Sequence, residues 1–283
     1  MYAAELMNFV VVFGILFSRF FPEGDPVWKL YQLLREIMDV IFSPRIDKKR
    51  LDLLKPLIQE HHKIYLIWSE EQRLKNKQHH ILHYPRLIEQ LGPPIHYWAM
   101  RNEHKHQQGK QTAVSVATRR NLSKTVAIRH QILHHCYMQS GTVLKDRVQF
   151  GLSFEIQFHE LPECENLPPD FAEKWQMVPW VTIHGTKYES GMVLVLPVEN
   201  QIFPDPEFGE IKFICVDEGN DVGFFCEDLI TSFFNSHVHC YEIEYSTSKS
   251  HCFVKHKCLS HSLPTNVITG SSGDLFIPYR YKV

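Results

Sequence analysis

Apolar residues in the first 140 positions recur every three or four places, which is the spacing of amphipathic helices. Asp25 and Pro26 form an N-cap and first-turn signal for a helix of about sixteen residues that ends before Pro44. Its predicted buried face comprises Val27, Leu30, Leu34, Ile37, Met38 and Ile41. Asp47 opens a second helix, in which Pro56 is expected to cause a kink or a break. The apolar side of that helix comprises Leu51, Leu54, Ile58, Tyr65 and Trp68.

Three further helices are predicted around these two. The apolar run over residues 8–17 indicates a buried helix, because it is too short to span a bilayer comfortably and no basic segment precedes it. A helix from Ile95 to about Arg119 follows the break at residues 92–94. Ser123 is expected to cap a last helix, which runs to Met138.

The hydrophobic period changes to two from Val148 onward. Short β-branched or aromatic runs, separated by Gly, Asn, Asp and Pro, predict strands over residues 180–183, 192–196, 210–216, 222–225 and 238–245. The Pro- and Glu-rich segment 160–169 is the expected linker into this region. We therefore predict an α+β fold. Its N-terminal all-helical region covers residues 1–142, and a small all-β barrel or sandwich covers residues 143–283.

Charge divides the chain in a similar way. Residues 1–70 carry nine Lys or Arg and nine Asp or Glu, residues 71–150 carry thirteen and four, and residues 151–283 carry eight and nineteen. The formal net charge of −2 thus combines a middle segment of +9 with a C-terminal segment of −11. The basic segment 71–150 is suited to phosphate, and the acidic β region to a protein partner. Alternatively, the two segments neutralise each other across a domain interface.

Cysteine usage indicates a reducing compartment. The seven cysteines include no C-x-x-C pair, so the spacing predicts neither a disulfide framework nor a zinc ribbon. We expect an intracellular protein, nuclear or cytoplasmic, that is not secreted and has no membrane partner.

The most informative stretch for function is residues 79–106, which contains histidines, other basic residues and Glu103. Glu103 is a single acid among Arg101, His104, Lys105 and His106 on a predicted helix. An isolated carboxylate among bases is either an ion-pair partner or a metal ligand that faces phosphates.

The order of residues here also carries a family resemblance. His79-His80, Leu82-His83-Tyr84-Pro85, Gly92-Pro93-Pro94 and the run from Trp98 to His106 follow one another as in the C-terminal half of animal transposases of the CACTA (En/Spm) type. Segments 25–35, 54–62 and 121–124 extend the resemblance over roughly residues 1–140. Such transposases have an RNase H-like core with two Asp and a late Glu. The resemblance places Glu103 at the late Glu, and the helices around it among the insertion helices and last core helices of that fold.

The resemblance implies a DDE-type, metal-dependent site of which one acid is present. Two-metal chemistry needs three carboxylates, yet the upstream aspartates, Asp25, Asp39, Asp47 and Asp52, fall at predicted helix caps or on helical faces. We therefore expect a transposase remnant without enzymatic activity of its own. Glu103 is a weak metal candidate, and Mg²⁺ or Mn²⁺ is expected only if a longer chain supplies the missing acids.

Non-specific DNA binding is the function that these features favour. The residues expected to contact phosphates are Arg101, Lys105, Lys110, Arg119, Arg120, Lys124 and Arg129. No base-reading motif is present. The expected function is that of a transposase-derived, DNA-associating protein. The alternatives are a protein-interaction module and an inert transposon relic.

Histidines form three groups of interest. His79, His80 and His83, and again His130, His134 and His135, contain a pair spaced four residues apart, which is metal-competent spacing. No Cys or Asp supplies the further ligands that a metal site would need in either set, so polar or phosphate-facing roles are favoured. The third group comprises His237, His239, Cys240, His251, Cys252, His256, Cys258 and His261. Strand alternation would point His239 and Cys240 to opposite faces, so no resident metal is predicted there.

Overall fold

The protein is a mixed α+β molecule, as predicted. The computed structural model describes residues 3–70, 73–116, 120–140, 148–154, 164, 167–168, 171–197, 205–247, 250–259 and 261–278. The side chains of residues 3–4, 100–105, 107–108 and 172–173 lie outside this description. In the described part, seven helices precede an antiparallel sheet that curls into a half-barrel.

The helices of the N-terminal half begin where local capping signals place them. They are α1 (Ala3–Phe17), α2 (Pro26–Ile41), α3 (Lys48–Trp68), α4 (Asn76–Ile81), α5 (Tyr84–Leu91), α6 (Met100–Ser115) and α7 (Leu122–Gln139). The Asp25 carboxylate accepts hydrogen bonds from the backbone N–H groups of Val27 and Trp28 at 2.8 and 2.9 Å. Asp47 caps α3 through the N–H of Arg50 at 2.7 Å. Both predicted N-caps are confirmed.

The buried faces of α2 and α3 differ in part from the predicted ones. Val27 is 43% exposed, whereas Trp28, Leu33 and Arg35 are buried. The cause is that α2 packs on two sides: its Ile37 and Ile41 meet Leu54 and Ile58 of α3, and another part of its surface meets the sheet. Helix α3 runs without a break through Pro56, and Trp68 at its end is 56% exposed.

Two helix starts also differ from prediction. Helix α6 begins at Met100 rather than Ile95, because His96 Nε2 lies 3.0 Å from the carbonyl oxygen of Pro44 and the Trp98 ring packs 5.6 Å from that of Phe42. Helix α7 is preceded by Asn121 in a left-handed conformation, with φ 48° and ψ 49°. Asn tolerates this conformation better than most residues, and Ser123 lies inside the first turn instead of capping it.

In the described part, the C-terminal half contains the short helix α8 (Phe171–Lys174), a 3-10 turn at His256–Cys258 and antiparallel strands. The strands are β1 (Val148–Phe150), β2 (Trp175–Val178), β3 (Trp180–Ile183), β4 (Thr186–Glu189), β5 (Val193–Val195), β6 (Phe208–Asp217), β7 (Val222–Asn235), β8 (Cys240–Tyr245), β9 (His251–Lys255), β10 (His261–Thr265), β11 (Ile268–Thr269) and β12 (Leu275–Ile277). The five predicted runs correspond to β3, β5, β6, β7 and β8. Most of the predicted linker 160–169 lies outside the described residues.

Two long strands organise the larger sheet. Its order is β10-β5-β6-β7-β8-β12-β11, while β1, β3 and β4 form a smaller sheet. Strand β6 pairs with both β5 and β2 along one edge, and β7 pairs with both β8 and β9 along the opposite edge. Each long strand therefore spans two short neighbours, and bulges near Ile211 and Thr231 interrupt the ladders.

Helices α1 and α2 pack on the turn between β7 and β8. Ile15 of α1 clusters with Val238, Cys240 and Phe276. The indole Nε1 of Trp28 donates to the carbonyl oxygen of His237 at 2.9 Å. The two halves therefore share a buried contact in addition to having separate cores. No helix in the described ranges is long and apolar enough to cross a membrane.

Candidate nucleic-acid interface

The basic segment forms a helical hairpin from α6 and α7. The two helices pack on each other, with Gly109 beside Val126, and Arg129 Nη1 lies 3.4 Å from Ser115 Oγ. No residue of α7 is buried. Helix α7 consequently offers most of its surface to solvent.

Four of the seven predicted DNA-contacting residues are exposed on this hairpin or its turn: Lys110, Arg120, Lys124 and Arg129. Arg101 and Lys105 belong to the α6 backbone, but their side chains lie outside the description. Arg119 lies outside the described residues. The structure thus places the four cations with described side chains on one helical hairpin.

The charged side chains of the hairpin after Glu103 all have the same sign, which is positive. The sequence has no Asp or Glu between Glu103 and Asp146, so the described cations of α6 and α7 have no carboxylate neighbour on their own helices after Glu103. Exposed charges are screened over about 10 Å at 0.1 M salt. A polyanion would therefore feel each cation only at short range, and its binding would need several simultaneous contacts.

Glu103 lies on a helix, within α6, but its side chain is outside the description. The upstream aspartates have structural partners: Asp25 and Asp47 cap helices, Asp52 lies 3.4 Å from Lys48 Nζ, and Asp39 lies against His239. In the described residues the first strand is β1, which begins at Val148. No described strand therefore places an Asp ahead of Glu103.

A largely buried polar network joins α2 to the β7–β8 turn, and the sequence analysis did not predict it. His239 Nε2 lies 2.7 Å from Asp39 Oδ2, and Arg35 Nη2 lies 3.8 Å from Asp39 Oδ1. The Arg35 side chain is fully buried, and His239 adopts a left-handed φ of 60° in the β7–β8 turn. The only sequence signal was the i, i+4 spacing of Arg35 and Asp39, which is equally common in surface pairs.

The C-terminal Cys and His residues are dispersed. His256 contacts the hydroxyl of Tyr188 at 3.1 Å, and burial followed by the nearby His184 lowers the pKa of its imidazole. Burial raises the pKa of the Cys240 thiol to about 12, so it stays protonated at neutral pH. Among the residues that are described, no group of three or more His, Cys, Asp or Glu side chains could hold a metal ion.

His79 and His83, which the sequence places four residues apart, do come together. The rings of His79 and His83 are 5.0 Å apart and nearly perpendicular, with 3.3 Å between their Nε2 atoms. His130, His134 and His135 are exposed on α7.

No family model matches the chain, and no curated protein matches it either.

Proposed function

We propose that this is a transposase-derived protein that associates with DNA through phosphate contacts made by the α6–α7 hairpin. The observation that carries the proposal is the exposure of Lys110, Arg120, Lys124 and Arg129 on an element without intervening acids. Such a surface suits the regular negative charge of a nucleic-acid backbone, and the nucleus is the compartment that this function requires.

The mode of contact follows from the side chains. Lysine and arginine heads on long stems adapt to phosphates at varied positions, and they release counterions when they bind. Arg129 is held beside Ser115, so part of its conformational freedom is already lost before binding. A surface built in this way binds many sequences with similar affinity.

The transposase origin rests on the resemblance around Glu103 and on the helical setting of that residue. The structural partners of Asp25, Asp39, Asp47 and Asp52 support the view that none of them completes a two-metal site. Binding without cleavage is therefore the activity that we propose.

Binding to a short DNA duplex should depend strongly on salt. If about five phosphates are neutralised, log affinity falls with log salt at a slope of about −4 to −5. Replacing Lys110, Arg120, Lys124 and Arg129 with alanine should flatten this slope by roughly one unit per residue. Fluorescence anisotropy at salt concentrations from about 50 to 200 mM is the measurement.

The matched control removes four other exposed cations, Lys48, Lys187, Lys255 and Lys257. This variant has the same net charge as the hairpin variant, so it separates a local surface from a global charge effect. Equal losses in both variants, or affinity that is flat with salt, would contradict the proposal. If the DNA affinity does not change with salt and the acidic β region captures a protein, the result would favour an interaction module.

Purified protein with Mg²⁺ or Mn²⁺ is expected neither to nick nor to join DNA, because one carboxylate cannot hold two metal ions. A supercoiled plasmid assay gives the readout, and Glu103→Gln should leave its result and the DNA affinity unchanged within twofold, taken as roughly 0.4 kcal/mol. Metal-dependent cleavage that Glu103→Gln abolishes would show that the protein does contain all three carboxylates of a two-metal site.

A further inference from the structure

The His79 and His83 pair has the geometry of a metal chelate. His79 lies in α4 and His83 immediately precedes α5, and both side chains are exposed. Their Nε2 atoms are 3.3 Å apart, with His79 in the last turn of α4 and His83 two residues beyond its end.

The separation matches the bite of one metal ion. A zinc–imidazole bond is about 2.0–2.1 Å long. Two such bonds place their nitrogens about 3.0 Å apart at a right angle and about 3.4 Å apart at the tetrahedral angle. The observed 3.3 Å falls inside this interval, and it also allows a hydrogen bond between the two Nε2 atoms, with the donor set by the tautomers.

We propose that His79 and His83 form a two-histidine site for a borderline divalent transition-metal ion, such as Zn²⁺, Ni²⁺ or Cu²⁺. Neutral imidazole suits these ions, whereas Mg²⁺ and Ca²⁺ prefer oxygen ligands. Two protein ligands leave the other coordination positions to water or to anionic oxygens.

The site would tie α4 to α5 at their junction. Helix α5 is anchored by Ile88, which packs with Leu54 and Ile58 of α3. Ile81, at the end of α4, and Tyr84, at the start of α5, border the same cluster. A metal ion on His79 and His83 therefore bridges two helices that meet over the helical core, and it stabilises the folded state by mass action.

Calorimetric titration of the full chain with Ni²⁺, and separately with Zn²⁺, tests the site. Wild-type protein should show a binding event that His79→Ala and His83→Ala each weaken by roughly tenfold or more, since either change removes the chelate. His80→Ala is the matched control, because His80 is also exposed and adjacent but is not paired with His83. It should keep the wild-type affinity.

Circular dichroism of each variant without metal checks that the helices are retained. The metal should raise the melting temperature of wild-type protein and of His80→Ala, and excess chelator should reverse this increase. Unchanged affinity in His79→Ala or His83→Ala overturns the site. So does an equal loss in His80→Ala, which would indicate diffuse binding to the histidine-rich surface.

Discussion

Gly14→Ala is expected to destabilise the protein by roughly 3 kcal/mol or more, because an added methyl group has no space there. An ideal Cβ at this position would lie 1.9 Å from the carbonyl oxygen of Val238 and 2.8 Å from the hydroxyl of Tyr31. That hydroxyl accepts from the Gly14 N–H at 2.8 Å and donates to the carbonyl oxygen of Val10 at 3.2 Å. Helix α1 must therefore move away from the β7–β8 turn. Urea unfolding followed by tryptophan fluorescence measures the loss.

Gly109→Ala is the control for this substitution. It is also a helical glycine, but its added Cβ would meet only Val126 Cγ1 at an ordinary 3.7 Å. Alanine in a helix interior is favoured over glycine by about 1 kcal/mol, so this variant should be as stable as the wild type or more stable. Similar unfolding midpoints for the two variants would show that α1 does not sit tightly against the turn.

Trp28→Ala is expected to cost about 3–5 kcal/mol, the usual range for removing a large buried aromatic side chain. Trp28 is 2% exposed. Its ring lies 4.8 Å from those of both Phe21 and Tyr31, and its Nε1 donates to the His237 carbonyl oxygen. The variant loses the packing of α1 on α2 and one hydrogen bond to the sheet. Thermal and urea unfolding of the full chain provide the measurement.

Two further variants sharpen this result. Trp68→Ala removes the same type of side chain from a position that is 56% exposed, and it should change stability by about 0.5 kcal/mol or less. Trp28→Phe keeps most of the ring packing but loses the bond to His237, at a cost of roughly 1–3 kcal/mol. If Trp28→Ala and Trp68→Ala unfold alike, the contact between helices and sheet contributes little to stability.

These stability variants also serve the functional proposal. Gly14 and Trp28 lie on α1 and α2, whereas the proposed phosphate contacts lie on α6 and α7. Below its melting temperature, Trp28→Ala should therefore bind DNA with the salt slope of the wild type. The hairpin variant should show the opposite pattern, with weaker binding and nearly unchanged stability.

Local chemistry determined much of the fold. An N-cap carboxylate and a proline act within one turn, so Asp25 and Pro26 marked the start of α2 without tertiary information. Alternation of apolar residues likewise located β3 at residues 180–183. The segregation of charge, and with it the basic segment, is also a property of the sequence alone.

The tertiary structure decided what depends on distant neighbours. Trp28 and Arg35 are buried because the β7–β8 turn, some 200 positions along the chain, covers that part of α2. Helix α6 starts late because His96 and Trp98 contact residues before α3. Helical periodicity records which residues share a face, but not what will cover that face. The i, i+4 spacing of His79 and His83 is visible in the sequence, but their 3.3 Å approach also requires Leu82 and His83 to keep a right-handed helical backbone beyond the end of α4.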